Sequence, residues 1–198
     1  MERQTSKENI LLASLELFAK NGFDGVGINE ITQMAGITKP SLYYFFGSKE
    51  GLFSAILERY FNILNSSTKT ACEYSAIPDE YFEDVYATLK NIVLCYFDFA
   101  KNNPLFYQLI LDITSAPPSS NTARISSIYI AEQRNIIKDA FLSFAKVHTN
   151  IQTKETFLTW SFIAIVNAAI ELWLRKEEEL SDELAHKIVH QFMHGIYA

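Results

Sequence analysis

Cysteine is scarce in this chain. Cys72 and Cys95 are the only two in 198 residues, and they do not form a CxxC pair. Their spacing fits two small buried or half-buried thiols and leaves a single disulfide open. An excess of positive charge is also missing: the formal net charge is -6. Residues 1–60 hold six cations against seven carboxylates, and the rest holds eleven against sixteen. Bulk charge therefore gives no general attraction to nucleic acid, and any such role has to rest on local pattern. No uninterrupted apolar run reaches the ~20 residues of a bilayer-spanning helix, so no membrane partner is expected. The start, Met1-Glu2-Arg3-Gln4, leads straight into a polar helix signal, so no secretory signal peptide is expected and the cytoplasm is the expected address. GxGxxG, P-loop, HExxH and GxSxG motifs are absent. The expectation is a protein without catalytic residues, resident metal or cofactor.

What is present is helix. The composition, 48% hydrophobic and 20% charged, is that of an ordinary globular chain. Thr5-Ser6-Lys7-Glu8 reads as a capping box, followed by Ile10, Leu11, Leu15, Leu17 and Phe18 at helical spacing. Asn21-Gly22 stops that helix. A short helix follows from about Ile28 to Ala35, closed by Gly36. Thr38 caps a third, with Lys39 and Pro40 in its first turn. Gly47 ends it, Ser48 caps the next, and a fourth helix runs from about Lys49 to Ser66 or beyond. Five more are predicted at about 79–101, 104–113, 122–147, 154–177 and 181–197. Pro117 to Asn121 is the one obvious loop. No alternating strand pattern appears. The expected fold is all-α, with about nine helices: a three-helix N-terminal domain at 1–48 and a larger helical domain at 49–198.

Residues 27–49 are the most informative. Two short helices joined by a tight Gly-containing turn suit a helix-turn-helix. The second is about two turns long, enough to bring its N-terminal residues to base edges in a major groove. Leu42, Phe45 and Phe46 can face inward, leaving Lys39, Ser41, Tyr43 and Tyr44 on other faces. Helix N-termini, hydroxyls and lysine are suitable phosphate partners.

These residues resemble the tetracycline-repressor (TetR) family of regulators. Ile31, Ala35-Gly36-Ile37-Thr38-Lys39, Leu42-Tyr43-Tyr44, Phe46 and Ser48-Lys49-Glu50-Gly51-Leu52 match its N-terminal pattern, as does Phe18-Ala19-Lys20-Asn21-Gly22-Phe23. The likeness covers residues 5–55 and then fades to helix number and a looser echo in Leu172-Trp173-Leu174. The resemblance implies that Thr38, Lys39, Pro40 and Ser41 approach bases and phosphates of an operator duplex. It implies phosphate contacts for Tyr43, Tyr44 and Lys49. Two positions depart from the pattern: Phe45 stands where a polar residue is common, and Gly27 caps the second helix where Thr is common.

Residues 154–174 are apolar almost all round, which predicts a helix buried on every side. Leu184, Ile188, Val189, Phe192, Met193 and Ile196 give the last helix a wide apolar stripe. Two such helices suggest a subunit interface, with Trp173, Leu184, Ile188, Phe192 and Ile196 as candidates. The resemblance implies a homodimer through these two helices and a cavity for a small effector among the middle helices. The candidates for that cavity are Tyr96, Phe99, Phe106, Tyr107, Trp160, Asn167 and Glu171. Each aromatic also fits simple core packing. Asn167 and Glu171, at i and i+4, fit ligand orientation, pairing across an interface or solvent exposure equally.

The reading is thus a ligand-responsive transcriptional regulator, more in the manner of a repressor, released from a palindromic operator by a small, mainly apolar effector. Two other classes stay open. His186, His190 and His194 recur at i, i+4 and i+8, a spacing that can serve a helical metal protein or enzyme. A helical protein-binding adaptor is the other.

Overall fold

The computed structural model describes residues 2–76 and 83–195. Those residues form nine α-helices and one short 3₁₀ turn, with no strand among them: α1 Glu2–Asn21, α2 Ile28–Ala35, α3 Lys39–Phe46, α4 Lys49–Ala71, α5 Glu83–Asn102, α6 Pro104–Ser115, α7 Asn121–Ala145, the 3₁₀ turn Thr149–Ile151, α8 Glu155–Leu174 and α9 Asp182–His194. The all-α expectation holds. Two ends differ from it. α1 begins at Glu2, so Thr5 lies inside the helix and does not cap it. α9 ends at His194, where Gly195 stops the helix, so the predicted continuation to 197 fails at 195 and Ile196 lies outside the described residues. The predicted start of the fifth helix near 79, and Tyr81 and Phe82 with it, also lie outside them.

The helices gather into two compact units, residues 1–62 with 105–130, and residues 63–104 with 131–198. Both α4 and α7 contribute one end to each.

In the first unit the core is aromatic. Phe18, Phe23 and Phe53 are fully buried and meet one another, with Phe23 and Phe53 stacked at 4.4 Å between centroids. Tyr60 stacks on Phe106 at 4.6 Å, and Phe61 meets Phe106 edge-on. Three rings from α1, the following turn and α4 thus fix the N-terminal helices as one body. Each buried ring removes about 150–250 Å² from water, which makes such clusters the main source of stability here.

The second unit is built from α5, α8 and α9 with the ends of α4 and α7. Phe141, Phe162 and Phe192 form its aromatic centre. A polar cluster is buried beside it. His148 Nε2 lies 3.2 Å from Asp84 Oδ1, and the Tyr74 hydroxyl donates to Asp84 Oδ2 at 2.7 Å. The Val85 N–H also donates to the Asp84 carboxylate, at 2.6 Å. Buried charge survives only when satisfied in this way.

α8 is one-sided within the protomer. Within the protomer it buries Thr159, Phe162, Val166, Ala169 and Ile170, which is one face and not every side. Phe157, Trp160 and Leu172 are exposed on it by 76%, 53% and 41%. By length and composition alone α8 is also apolar enough to cross a membrane, with a mean hydropathy of 1.7 in its best window. Ser161, Asn167 and Glu171 interrupt the apolar run without lowering that average enough to hide it.

Candidate nucleic-acid interface, outer apolar face and cavity

The helix-turn-helix forms for local reasons. Gly27 adopts an extended conformation before α2, and its N–H donates to the Glu30 carboxylate at 2.8 Å. Glu30 thereby supplies its own half of a capping box, while the half that a Thr hydroxyl at 27 would supply, accepting from the Glu30 N–H, is missing. α2 ends at Gly36 with φ +65°, a left-handed conformation that a side chain would strain. The Ile37 N–H then donates back to Thr32 O at 3.0 Å, closing the turn. Thr38 caps α3: its hydroxyl oxygen accepts from the Ser41 N–H at 3.4 Å and lies 3.0 Å from the Ser41 hydroxyl. Pro40 sits in the first turn, where its missing N–H costs nothing.

Leu42 is the anchor of α3 and is fully buried. Phe45 and Phe46, expected inward, are only half-buried, because two turns of helix cannot turn three large side chains into one small core. Phe45 packs edge-on against Tyr44. The outward face carries Thr38, Lys39, Pro40, Tyr43 and Tyr44, all exposed, with Ser41 half-buried beside them. Tyr43 is 45% and Tyr44 72% exposed. α3 holds no acidic residue, so its N-terminal N–H groups, one ammonium and two phenols face outward without a competing carboxylate.

Lys49 stands differently. Its Nζ donates to Phe23 O and Val26 O, both at 2.8 Å, and lies 4.2 Å from the centroid of the Phe23 ring. Two of its three donors are spent tying the start of α4 to the turn before α2. Phe23 O also accepts the Val26 N–H at 3.4 Å, so the ammonium adds a second, charge-assisted bond to a carbonyl the turn already uses. Gly51 is a residue whose reason sequence could not show. A Cβ there would collide with the Phe46 carbonyl oxygen, so only glycine lets α4 start this close to the end of α3.

The other candidates scatter. Tyr96 and Phe99 are buried in the second unit, and Phe99 also lines an open groove with Ile63, Ser67 and Cys95. Phe106 and Tyr107 are wholly buried in the core of the first unit. Arg134 lies 3.5 Å from the ring centroid of Trp160. Asn167 is half-buried, and Glu171 is exposed and paired with Arg175 at 2.6 Å. A cavity of about 220 Å³ does exist in the second unit, lined by Val85, Leu89, Phe141, His148, Leu158 and Phe192 among others, and by none of these seven residues. It is not legible in the sequence because its walls come from three separated stretches, 85–89, 141–158 and 192–193.

Of the interface candidates, Ile188 is buried within the protomer, Trp173 and Leu184 are half-buried, and Phe192 packs on Phe162 and Phe141. Among the described residues, no three metal-type ligands converge. His186 instead accepts or donates to the Tyr86 hydroxyl at 2.7 Å.

Residues 10–56 match the family profile described as bacterial regulatory proteins, tetR family. Those residues carry the N-terminal domain of that family. Across 98% of its length the chain is 23% identical to the HTH-type transcriptional activator FasR of Mycolicibacterium smegmatis, covering 84% of that protein. Over 58 residues it is 47% identical to the HTH-type transcriptional repressor BdcR of Escherichia coli, which is 29% of each chain. Its fold is similar to the transcriptional regulator FadR from Bacillus subtilis, solved in complex with stearoyl-CoA, with a TM-score of 0.76 at 12% identity, covering 96% of this chain and 99% of that one. The matched proteins are DNA-binding regulators of transcription, not enzymes. The family profile falls on the segment that builds the helix-turn-helix, and the whole-length likeness to the solved structure is one of fold.

Proposed function

We propose that this protein is a cytoplasmic, ligand-responsive repressor of the TetR family that binds a palindromic operator as a homodimer and is released by a small, mainly apolar effector. The functional division proposed is a reading head at 1–48 and a sensing and dimerising domain at 49–198. The observation that carries the reading is the outward face of α3: Lys39, Tyr43 and Tyr44 exposed on a short, capped, acid-free helix in a helix-turn-helix. Lys39, Pro40 and the Ser41 hydroxyl would reach the bases, and the two phenols and the helix N-terminus would hold phosphates. Lys49 would act through the brace it makes, keeping α4 and the first turn in register.

Dimerisation is supported by the exposed stripe Phe157, Trp160 and Leu172 on α8, which a second copy would remove from water. A two-fold pair would present two α3 helices to two half-sites, about one DNA turn or a multiple apart. The names of the relatives include an activator and a repressor. Repression is the simpler device, because an effector need only disturb the spacing of two heads through α4, the helix that Lys49 begins.

The test is light scattering of the free protein followed by duplex titration at several salt concentrations. The reading requires a dimer mass without detergent and an affinity for a selected duplex that falls as salt rises. A monomer, or a particle that forms only in detergent, would overturn the dimer; affinity independent of salt would overturn the phosphate contacts.

A further inference from the structure

The cavity of the second unit has a chemical bias that the whole-chain charge hides. Val85 and Leu89 from α5, Phe141 from α7, Leu158 from α8 and Phe192 and Met193 from α9 give it apolar walls. The remaining lining residues are His148, Asn150, Ile151 and Lys154. No carboxylate is among them. The nearest buried acid of the polar cluster, Asp84, already accepts from the Tyr74 hydroxyl and the Val85 N–H and sits against His148. Lys154 and Asn150 are exposed, so the one permanent cation stands where the cavity meets water. One Lys154 donor is used by the Asn150 carbonyl at 2.8 Å, which holds the ammonium in place and leaves two donors.

We propose that this cavity binds a small apolar monocarboxylate, with its chain or ring between Phe141, Leu158 and Phe192 and its carboxylate on the Lys154 ammonium. The proposal rests on the reading of the second unit as a sensor and specifies its ligand. Size sets the class. A cavity of roughly 150 Å³ accepts benzene, and this one is about 220 Å³. It therefore suits an acid of about eight carbons or a simple aromatic acid, and it excludes the long acyl chain and nucleotide of a stearoyl-CoA. The ammonium gives a charge-assisted hydrogen bond to a carboxylate that an ester cannot replace. Because Phe192 and Met193 belong to α9 and Leu158 to α8, the ligand would bear on the two helices that the dimer reading uses.

The test is calorimetry on the full chain with octanoate, methyl octanoate and stearoyl-CoA, alone and with a duplex the protein binds. Octanoate is expected to bind one per protomer, and methyl octanoate at least about ten-fold more weakly, the factor of one charge-assisted hydrogen bond. Lys154→Met should weaken octanoate by about the same factor and leave the ester unchanged. Leu158→Trp and Met193→Trp fill the cavity from two different helices, and whichever keeps the wild-type melting curve should abolish binding. Equal affinity for acid and ester, an unaffected Lys154→Met, a folded filled variant that still binds, or stearoyl-CoA displacing octanoate would each overturn the proposal. The duplex arm separates it from the reading it rests on. Octanoate binding with no change in duplex affinity keeps this site and removes release as the mode of control. Duplex binding with no octanoate binding removes the site and keeps the regulator.

Discussion

α3 and α8 are the two helices that expose aromatic rings most openly, and they differ in one atom type. On α3 the exposed rings are Tyr43 and Tyr44; on α8 they are Phe157 and Trp160, with Leu172 beyond. A phenol offers an apolar edge and a hydroxyl at its tip, which suits a sugar-phosphate surface. Phe157 and Leu172 offer nothing polar at all, and the indole of Trp160 already carries Arg134 on its face. The proposed function draws on that tip chemistry: a polyanion for α3 and another apolar surface for α8.

The comparison breaks most visibly at α8. Phe157→Asp should raise the dimer dissociation constant by about thirty-fold or more, the scale of an interface hot spot, with protomer helicity unchanged in circular dichroism because residue 157 is exposed. Phe192→Asp should do something else. Phe192 packs against Phe162 at 5.2 Å between centroids and against Phe141, so its variant should lower the melting temperature by a core-disrupting margin of about 3 kcal/mol or more before the dimer is tested. A Phe192→Asp protomer that melts normally would show that α9 is not held as described.

Within the first unit the next largest effect belongs to Gly51. Gly51→Ala forces the start of α4 away from Phe46 O and should cost about 1–3 kcal/mol, with duplex affinity falling because α3 is displaced. Lys49→Met should cost a similar amount in stability, since two carbonyls lose a cationic donor. Its salt slope in duplex binding should match the wild type, whereas a phosphate ligand would take about one unit of slope with it. Tyr43→Phe and Tyr44→Phe are gentler: melting unchanged, and duplex affinity down by about five-fold each, one neutral hydrogen bond. The smallest effect concerns thiols. Burial pushes the Cys72 thiol up to about 12, with the neighbouring Cys95 as a lesser cause. Cys72 should alkylate far more slowly at pH 8 in the native protein than in urea, as a mass-spectrometric time course would show.

The helix-turn-helix was legible because its signals are local. Gly36, Thr38, Pro40 and Ser48 each set the conformation of their own turn, and a turn can be read from neighbours in sequence. What escaped depends on contacts across the chain. The Lys49 brace could not be read from its own helix, because its partners Phe23 O and Val26 O lie 26 and 23 residues back in the chain. α8 looked buried all round because apolar composition does not say whether the cover comes from this chain or another. The cavity was invisible for the same reason, its walls running from Val85 to Met193, while the named aromatics Phe106 and Tyr107 went wholly into packing. Thr5 misled in the opposite sense: a good capping sequence is overridden when the helix continues through it to Glu2.

The central claim, that the outward face of α3 reads DNA for a two-fold pair of protomers, is tested most directly by selecting bound sequences from a random duplex pool with the full chain. The account predicts an inverted repeat whose half-site centres lie about 10 base pairs or a multiple apart, lost when Lys39 and Tyr44 are both replaced by alanine. Enrichment of a single unrepeated site, or of no sequence at all, would contradict it.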